Sequence, residues 1–310
     1  MRTLERESRA IELRPFLKWA GGKRQLLPAL RRFYPEQFGR YFEPFVGSGA
    51  VFFDLTGSGR LEGHRAYLTD SNTDLVGCYE AVRDHPAELL SQLERLARGH
   101  AADSREHFYR IRERFNRTRA RRTDGYPPAL AAMLMYLNRT AFNGLFRLNA
   151  SGGFNVPVGR YTNPRIVDRE LVGAASAALR RRGVSIELAP FERALERAER
   201  GDFLYFDPPY APMSATARFT SYTDRPFGLE DQARLRDAVV ELATRGCHVM
   251  VSNSSAPAIA ELYEHPRVTR AGLRLHQLPA RRSINSRASA RGPIVEFLLT
   301  NLTERRGAQD

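Results

Sequence analysis

The sequence predicts an α/β protein: a doubly wound, mostly parallel sheet interrupted by an inserted, mostly helical segment. Three observations predict it. Short apolar runs alternate with helix-length segments in the order β-α-β-α over residues 41–82, the opening of a doubly wound sheet. From about 86 to 167 that pattern gives way to Arg-rich helical sequence and then to Gly- and Asn-rich sequence, and it resumes near Asp168. A later apolar run, Phe203-Leu204-Tyr205-Phe206, is stopped by two prolines, which fix φ and lack a backbone donor. Residues 1–72 and 168–310 are expected to form the sheet domain, and 73–167 the insertion.

The elements follow in order. Residues 16–33 are expected to open with the loop Lys18-Trp19-Ala20-Gly21-Gly22-Lys23 and to continue as a helix through Leu26, Leu27 and Leu30. Residues 41–45 read as a strand, Gly47-Ser48-Gly49 as a tight turn, and Ala50 onward as a helix. A second strand, 66–69, ends at Asp70, and a helix covers about 73–82. Within the insertion, helical sequence reaches about 122 and another helix covers 128–137. A helix at 169–181, strands at 184–188 and 203–206, a loop, a helix at 229–245 and strands at 248–252 and 294–300 complete the pattern. Residues 304–310 are expected to fray.

The 310-residue chain carries a formal charge of +13, which favours a polyanionic partner, nucleic acid before anionic membrane. No apolar run reaches 18 residues and the first 14 mix acids and bases, so neither a spanning helix nor a secretory signal is expected. Cys78 and Cys247 have no metal-ligand spacing; a disulfide framework and a metal site are not expected, and a reducing, intracellular setting fits. The bases are almost all arginine: only Lys18 and Lys23 are lysine, and both lie in the Gly-Gly loop.

Asp207-Pro208-Pro209-Tyr210 displays a carboxylate, a stiffened backbone carbonyl and an aromatic ring at the carboxyl end of a strand, where open α/β sheets bind ligands. The combination suits gripping the exocyclic amino group of a flat base; by itself it also reads as an ordinary strand terminator. Gly47-Ser48-Gly49, between strand and helix, lets a ligand approach the backbone closely. The third glycine of a dinucleotide fingerprint is missing. Asp70, 21 positions past Gly49, stands where an acid accepts ribose hydroxyls. Together these describe a nucleoside pocket that suits S-adenosylmethionine better than NAD.

Several longer stretches occur in one order: Phe-Leu-Lys-Trp-Ala-Gly-Gly-Lys, Glu-Pro-Phe-Val-Gly-Ser-Gly, Thr-Asp-Ser-Asn, Tyr136 to Arg139, Phe142 to Arg147, Phe154 to Tyr161 and Asp-Pro-Pro-Tyr. Over about 16–302 the chain resembles the Dam-type (D12 class) site-specific DNA adenine-N6 methyltransferases. The resemblance implies a Rossmann-like S-adenosylmethionine domain with a target-recognition segment inserted before Asp207. It implies that Trp19 and Lys23 lie at the cofactor, that Glu43, Phe45 and Gly47 line the turn beneath its methionine part, that Asp70 holds the ribose, and that Asp207 lies near cofactor and target alike. It implies double-stranded DNA as partner and a cytoplasmic, nucleoid-associated setting in a bacterium. A cognate restriction endonuclease stays open as a second partner.

The N6 of adenine is a poor nucleophile because its lone pair is delocalised into the ring. Asp207 and the Pro208 carbonyl can accept hydrogen bonds from that amino group and turn the lone pair toward the methyl donor, so that positioning and electrostatics supply the rate. The base must leave the duplex, and Tyr210 is expected to stack on it, with Phe219 and Tyr222 as further candidates. Eight arginines between 105 and 122 face only two acids and read as phosphate contacts. The resemblance places base contacts and intercalation in the matched middle segment, where Arg139, Asn143, Leu145, Arg147 and Pro157 are the candidate DNA contacts. Arg147 can bind guanine bidentately, Asn143 suits adenine-type edges, and Phe142 can wedge into the space the base leaves. The basic stretch 281–287 can hold phosphates or cover the site. Many relatives recognise GATC, the expected target here. A cytosine-N4 or RNA amino group as acceptor, or a catalytically silent DNA-binding relative, are the alternatives; a NAD-dependent dehydrogenase leaves Asp207 to Tyr210 and the charge unexplained.

Overall fold

The computed structural model describes residues 13–19, 21–210, 227–281 and 293–305. Among these residues, seven strands form one sheet: β1 (Tyr41–Pro44), β2 (Ala66–Asp70), β3 (Val184–Leu188), β4 (Phe203–Phe206), β5 (His248–Ser254), β6 (Arg274–Arg281) and β7 (Pro293–Thr300). Their order is β3-β2-β1-β4-β5-β7-β6. The first five are parallel, and β7 runs antiparallel to both β5 and β6. The order reverses between β1 and β4, so the crevice at their carboxyl ends is the topological switch point, the usual ligand site of such a sheet.

Alternation along the strands divides the core between the two faces. Tyr41, Phe203, Tyr205, Met250 and Leu298 join one buried cluster, and Phe42, Leu204, Phe206, Val249, Val251, Phe297 and Leu299 join the other. A sheet buried on both faces explains why β4 and β5 read as continuous apolar runs. The first face is covered by α1 (Leu27–Arg31), α2 (Ala50–Gly57), α3 (Thr73–Asp84) and α7 (Arg169–Leu179). The second is covered by α8 (Arg193–Arg197), α9 (Leu229–Arg245), α10 (Pro257–Tyr263) and α11 (Pro266–Arg270).

Between α3 and α7 lie α4 (Pro86–Ala102), α5 (Ser104–Ala120) and α6 (Pro128–Thr140). Helix α6 is buried on nearly every side, the state expected of a helix apolar all round; it packs against α3, α4 and α5. Past α6 the chain doubles back as a narrow antiparallel ribbon, bridged at Ala141–Val158 and Leu148–Phe154. Helix α5 clamps it. Asn116 donates to the Phe154 carbonyl at 3.1 Å and accepts the Phe154 amide at 2.8 Å, and Arg119 donates to the Gly152 carbonyl while its other end meets the buried carboxylate of Asp74.

The structure differs from the sequence reading in places. The expected helix of 16–33 is a 3-10 turn (Lys23–Gln25) followed by the short α1. Strand β6 and helices α8, α10 and α11 were not expected. β6 hides because Pro279 sits within it, which only an edge strand tolerates, and β6 is the edge beyond β7. Phe219, Tyr222 and residues 282–287 lie outside the described residues.

Candidate active site

The site is built from the ends of β1, β2 and β4 and the loop before α1. After β1 the backbone turns through Phe45 (φ 65°), Gly47 (φ 48°) and Gly49 (φ 66°). A side chain at Gly49 is excluded twice over: by its left-handed φ, and because a Cβ there would stand 2.7 Å from the Tyr79 hydroxyl. Gly49 is the N-cap of α2 and offers no side chain to cap it. Glu43 does so from β1: its Oε2 accepts the Phe52 amide at 2.9 Å and the Tyr41 hydroxyl at 2.8 Å. Burial pushes the Glu43 carboxyl up to about 8, against those two donors, and the nearby Asp207 raises it further. At neutral pH Glu43 is therefore mostly protonated.

Asp70, ending β2, accepts the Gly47 amide at 3.2 Å and the Asn72 amide at 2.9 Å. Burial raises its carboxyl to about 6 despite these donors. Trp19 stacks on Phe146 of the ribbon, with centroids 5.3 Å apart, and a Cβ on Gly47 would lie 3.2 Å from its indole. Phe45 stacks on Phe191 at 5.4 Å.

At the end of β4, Oδ1 of Asp207 is 2.7 Å from Nζ of Lys23. Lys23 is 3% exposed; its ammonium also donates to the Gly21 carbonyl and lies 4.7 Å from the centroid of the Tyr210 ring. Burial raises the Asp207 carboxyl to about 6; Lys23 opposes the rise and Glu296 adds to it. The Pro209 carbonyl accepts Gln232 Nε2 at 2.9 Å, and Gln232 in turn accepts Asn253 Nδ2 at 2.9 Å. Both amides are fully buried, so the Pro-Pro turn is anchored from α9 and β5. The Tyr210 hydroxyl donates to Glu296 of β7 at 2.6 Å. Sequence reading missed Glu296, Gln232 and Asn253. Each lies far along the chain from Asp207, and only the strand order brings them near.

The candidate DNA contacts fall into two environments. Phe142 is 42% exposed, and Asn143, at φ 56°, and Pro157 are exposed at the mouth of the ribbon. Arg147 is half-buried and donates through Nε to Asn155 at 2.8 Å; Leu145 is half-buried beside it. Arg139 is turned inward and donates to the Phe16 carbonyl at 2.7 Å. Two of the eight arginines between 105 and 122 are likewise turned to the protein itself, Arg112 to the Val156 carbonyl and Arg119 to Gly152 and Asp74. Arg105, Arg110, Arg114, Arg117 and Arg121 are exposed. Asn138 joins the two halves: it exchanges hydrogen bonds with both the amide and the carbonyl of Lys18, and donates to the Gly144 carbonyl at 2.9 Å.

Among the described residues, the carboxyls of Glu43, Asp70, Asp207 and Glu296 share this crevice with the ammonium of Lys23. An acid-rich, aromatic-lined, partly desolvated pocket suits a ligand that carries positive charge and ribose hydroxyls. A sulfonium nucleoside such as S-adenosylmethionine fits that donor set, whereas a pyrophosphate would meet carboxylates. Among the described residues, no group of three or more His, Cys, Asp or Glu is placed to hold a metal ion, and no helix is long and apolar enough to cross a membrane.

The sheet order is that of a Rossmann-like fold. Residues 19–284 match the family model of the D12 class N6 adenine-specific DNA methyltransferases, and the chain belongs to that family. It is 42% identical over 292 residues to the type II methyltransferase M1.LlaDCHI of Lactococcus lactis subsp. cremoris, covering 94% of this chain and 96% of that one. It is 36% identical to the type II methyltransferase M.MjaIII of Methanocaldococcus jannaschii, covering 94% and 100%. It is also 36% identical to the DNA adenine methylase of Escherichia coli K12, covering 92% and 94%.

Proposed function

We propose that the protein methylates N6 of an adenine flipped out of duplex DNA, within GATC, and that Asp207, Pro208 and Tyr210 carry the transfer. The observation that carries this reading is the Asp207 turn itself: carboxylate, anchored Pro-Pro backbone and ring, held at the switch point beside a nucleoside-type pocket. When bound, S-adenosylmethionine supplies an electrophilic methyl group. Trp19, Glu43, Phe45, Gly47 and Asp70 hold it in the crevice, and Lys23 bridges that pocket to Asp207.

Asp207 and the Pro208 carbonyl accept hydrogen bonds from the two N6 protons and aim the nitrogen lone pair across the crevice. Tyr210 stacks on the base and keeps it in plane. Asp207 needs no high basicity, because the N6 proton turns acidic once nitrogen has gained its methyl; the carboxylate takes that proton at Oδ1 or Oδ2. The ribbon reads the site: Arg147 faces a guanine edge, Asn143, Leu145 and Pro157 the neighbouring bases, and Phe142 fills the vacated stack. Within residues 73–167, the helices and ribbon beyond α3 are the recognition unit in this reading, α3 itself covering the sheet, with Arg139 bracing the unit from within. The exposed α5 arginines bind phosphates. Similarity to two type II methyltransferases supports a restriction endonuclease of the same specificity as a partner.

Asp207→Ala tests the assignment. The variant should fold, bind DNA and bind S-adenosylmethionine, yet show no methyl transfer; retention of about a tenth of wild-type kcat would remove Asp207 from its role.

A further inference from the structure

Strand β7 lies two places from β4 in the sheet, yet Glu296 reaches the Asp207 turn. Its Oε2 accepts the Tyr210 hydroxyl at 2.6 Å and stands 3.9 Å from Lys23 Nζ. Lys23 already has Asp207 at 2.7 Å, so Glu296 places a second negative charge beside one ammonium in a site mostly withdrawn from water. Such crowding costs free energy unless something is gained. The gain is visible at Tyr210. Burial and the carboxylates of Asp207 and Glu296 push the phenol pKa well above its usual range, so the hydroxyl stays a donor. A short charge-assisted bond from it fixes the ring more firmly than a neutral partner would.

We propose, resting on the transfer reading above, that Glu296 is a positioning residue: it holds the Tyr210 ring by its hydroxyl and sets the charge around Lys23 and Asp207. Among the described residues, the groups facing Asp207 are Lys23 from the loop before α1, Glu43 from β1, Tyr205 from its own strand, Tyr210 and Glu296. Of these, Lys23 favours the ionised carboxylate and Glu296 opposes it.

The test uses the full chain and compares wild type, Glu296→Ala, Glu296→Gln, Tyr210→Phe and the double variant Tyr210→Phe/Glu296→Ala. Glu296→Ala lowers kcat by about a hundredfold, the scale of a misplaced reacting group, while binding of S-adenosylmethionine is retained. Removing the hydroxyl in the Glu296→Ala background costs nothing further, because the two groups act as one unit. Glu296→Gln keeps an acceptor for Tyr210 but removes the charge, so the acid limb of its kcat/KM profile moves to lower pH. Additive losses in the double variant, or an unmoved acid limb in Glu296→Gln, would overturn the proposal. If Glu296→Ala does not fold, the Glu296→Gln profile decides alone. Wild-type product is identified in the same assay: no N6-methyladenine there sinks the function proposed above, whereas an active wild type with wild-type-like variants sinks only this inference.

Discussion

Lys23 and Asp207 form an ion pair of 2.7 Å in which the lysine is almost wholly buried and the carboxylate belongs to the residue just past β4. One of only two lysines in a chain of 48 basic residues thus sits against the residue on which the proposed chemistry turns. A compact ammonium can follow Asp207 into a space where a guanidinium fork would not fit as closely.

The pair makes a pH prediction. In the proposed reaction Asp207 must be ionised to take the N6 proton, and its carboxyl stands at about 6 with Lys23 as the main group holding it down. Activity should fall as pH drops through about 6. In Lys23→Met the lowering influence is gone, so the acid limb of kcat/KM moves to higher pH. A limb that stays in place, or moves down, contradicts the coupling.

Cofactor binding should release protons. Asp70 and Asp207 both stand at about 6 because of burial, and a cationic ligand favours their ionised forms. Affinity for S-adenosylmethionine should therefore rise from about pH 5 to about 7. The single tryptophan, Trp19, is a proposed cofactor contact, so its fluorescence should report binding; calorimetry in buffers of different ionisation enthalpy counts the protons. Heats independent of buffer would refute this.

Glu43 links the site to stability. Its carboxyl rises from 4.5 to about 8 in the fold. The folded state binds the proton more tightly than the unfolded chain, so the stability it contributes is whole below 4.5 and declines as pH rises to about 8. Glu43→Gln keeps an oxygen for Tyr41 and Phe52 and cannot ionise. Its melting temperature should gain on wild type as pH rises through that window, whereas Glu43→Ala, which strands two buried donors, should lose about 1–3 kcal/mol at any pH. Parallel melting curves for Glu43→Gln and wild type would show that Glu43 is already ionised.

On the DNA side, Arg147→Ala should relax discrimination at one guanine by about 1–3 kcal/mol while leaving affinity for nonspecific duplex nearly unchanged. Substituting the exposed Arg114 or Arg117 should instead weaken all duplexes alike and flatten the salt dependence. Competition binding with single-base variants separates the two; an Arg147→Ala enzyme with wild-type preferences would take Arg147 out of the reading set.

Much of the frame could be read from the chain because the relevant signals are local. The Pro-Pro stop fixed the end of β4, the acid after β2 marked Asp70, and helix α9 runs over the residues expected of it, Leu229–Arg245. What escaped depends on contacts between distant residues. Glu296 is an unremarkable acid within an apolar run until the sheet order sets β7 beside β5. Arg112 and Arg119 look like the other arginines of α5, and only the ribbon's path shows that they serve its backbone. Gln232 and Asn253 are polar residues inside amphipathic or apolar elements; their burial becomes intelligible through the chain of hydrogen bonds that runs from Tyr263 and Asn253 through Gln232 to the Pro209 carbonyl.

The most direct measurement is transfer of labelled methyl from S-adenosylmethionine to duplex DNA with and without GATC, followed by identification of the methylated nucleoside. N6-methyladenine is expected in the GATC duplex and none in its GATC-free counterpart. N6-methyladenine in both would contradict the site, and N4-methylcytosine or no product would contradict the chemistry assigned to Asp207 and its turn.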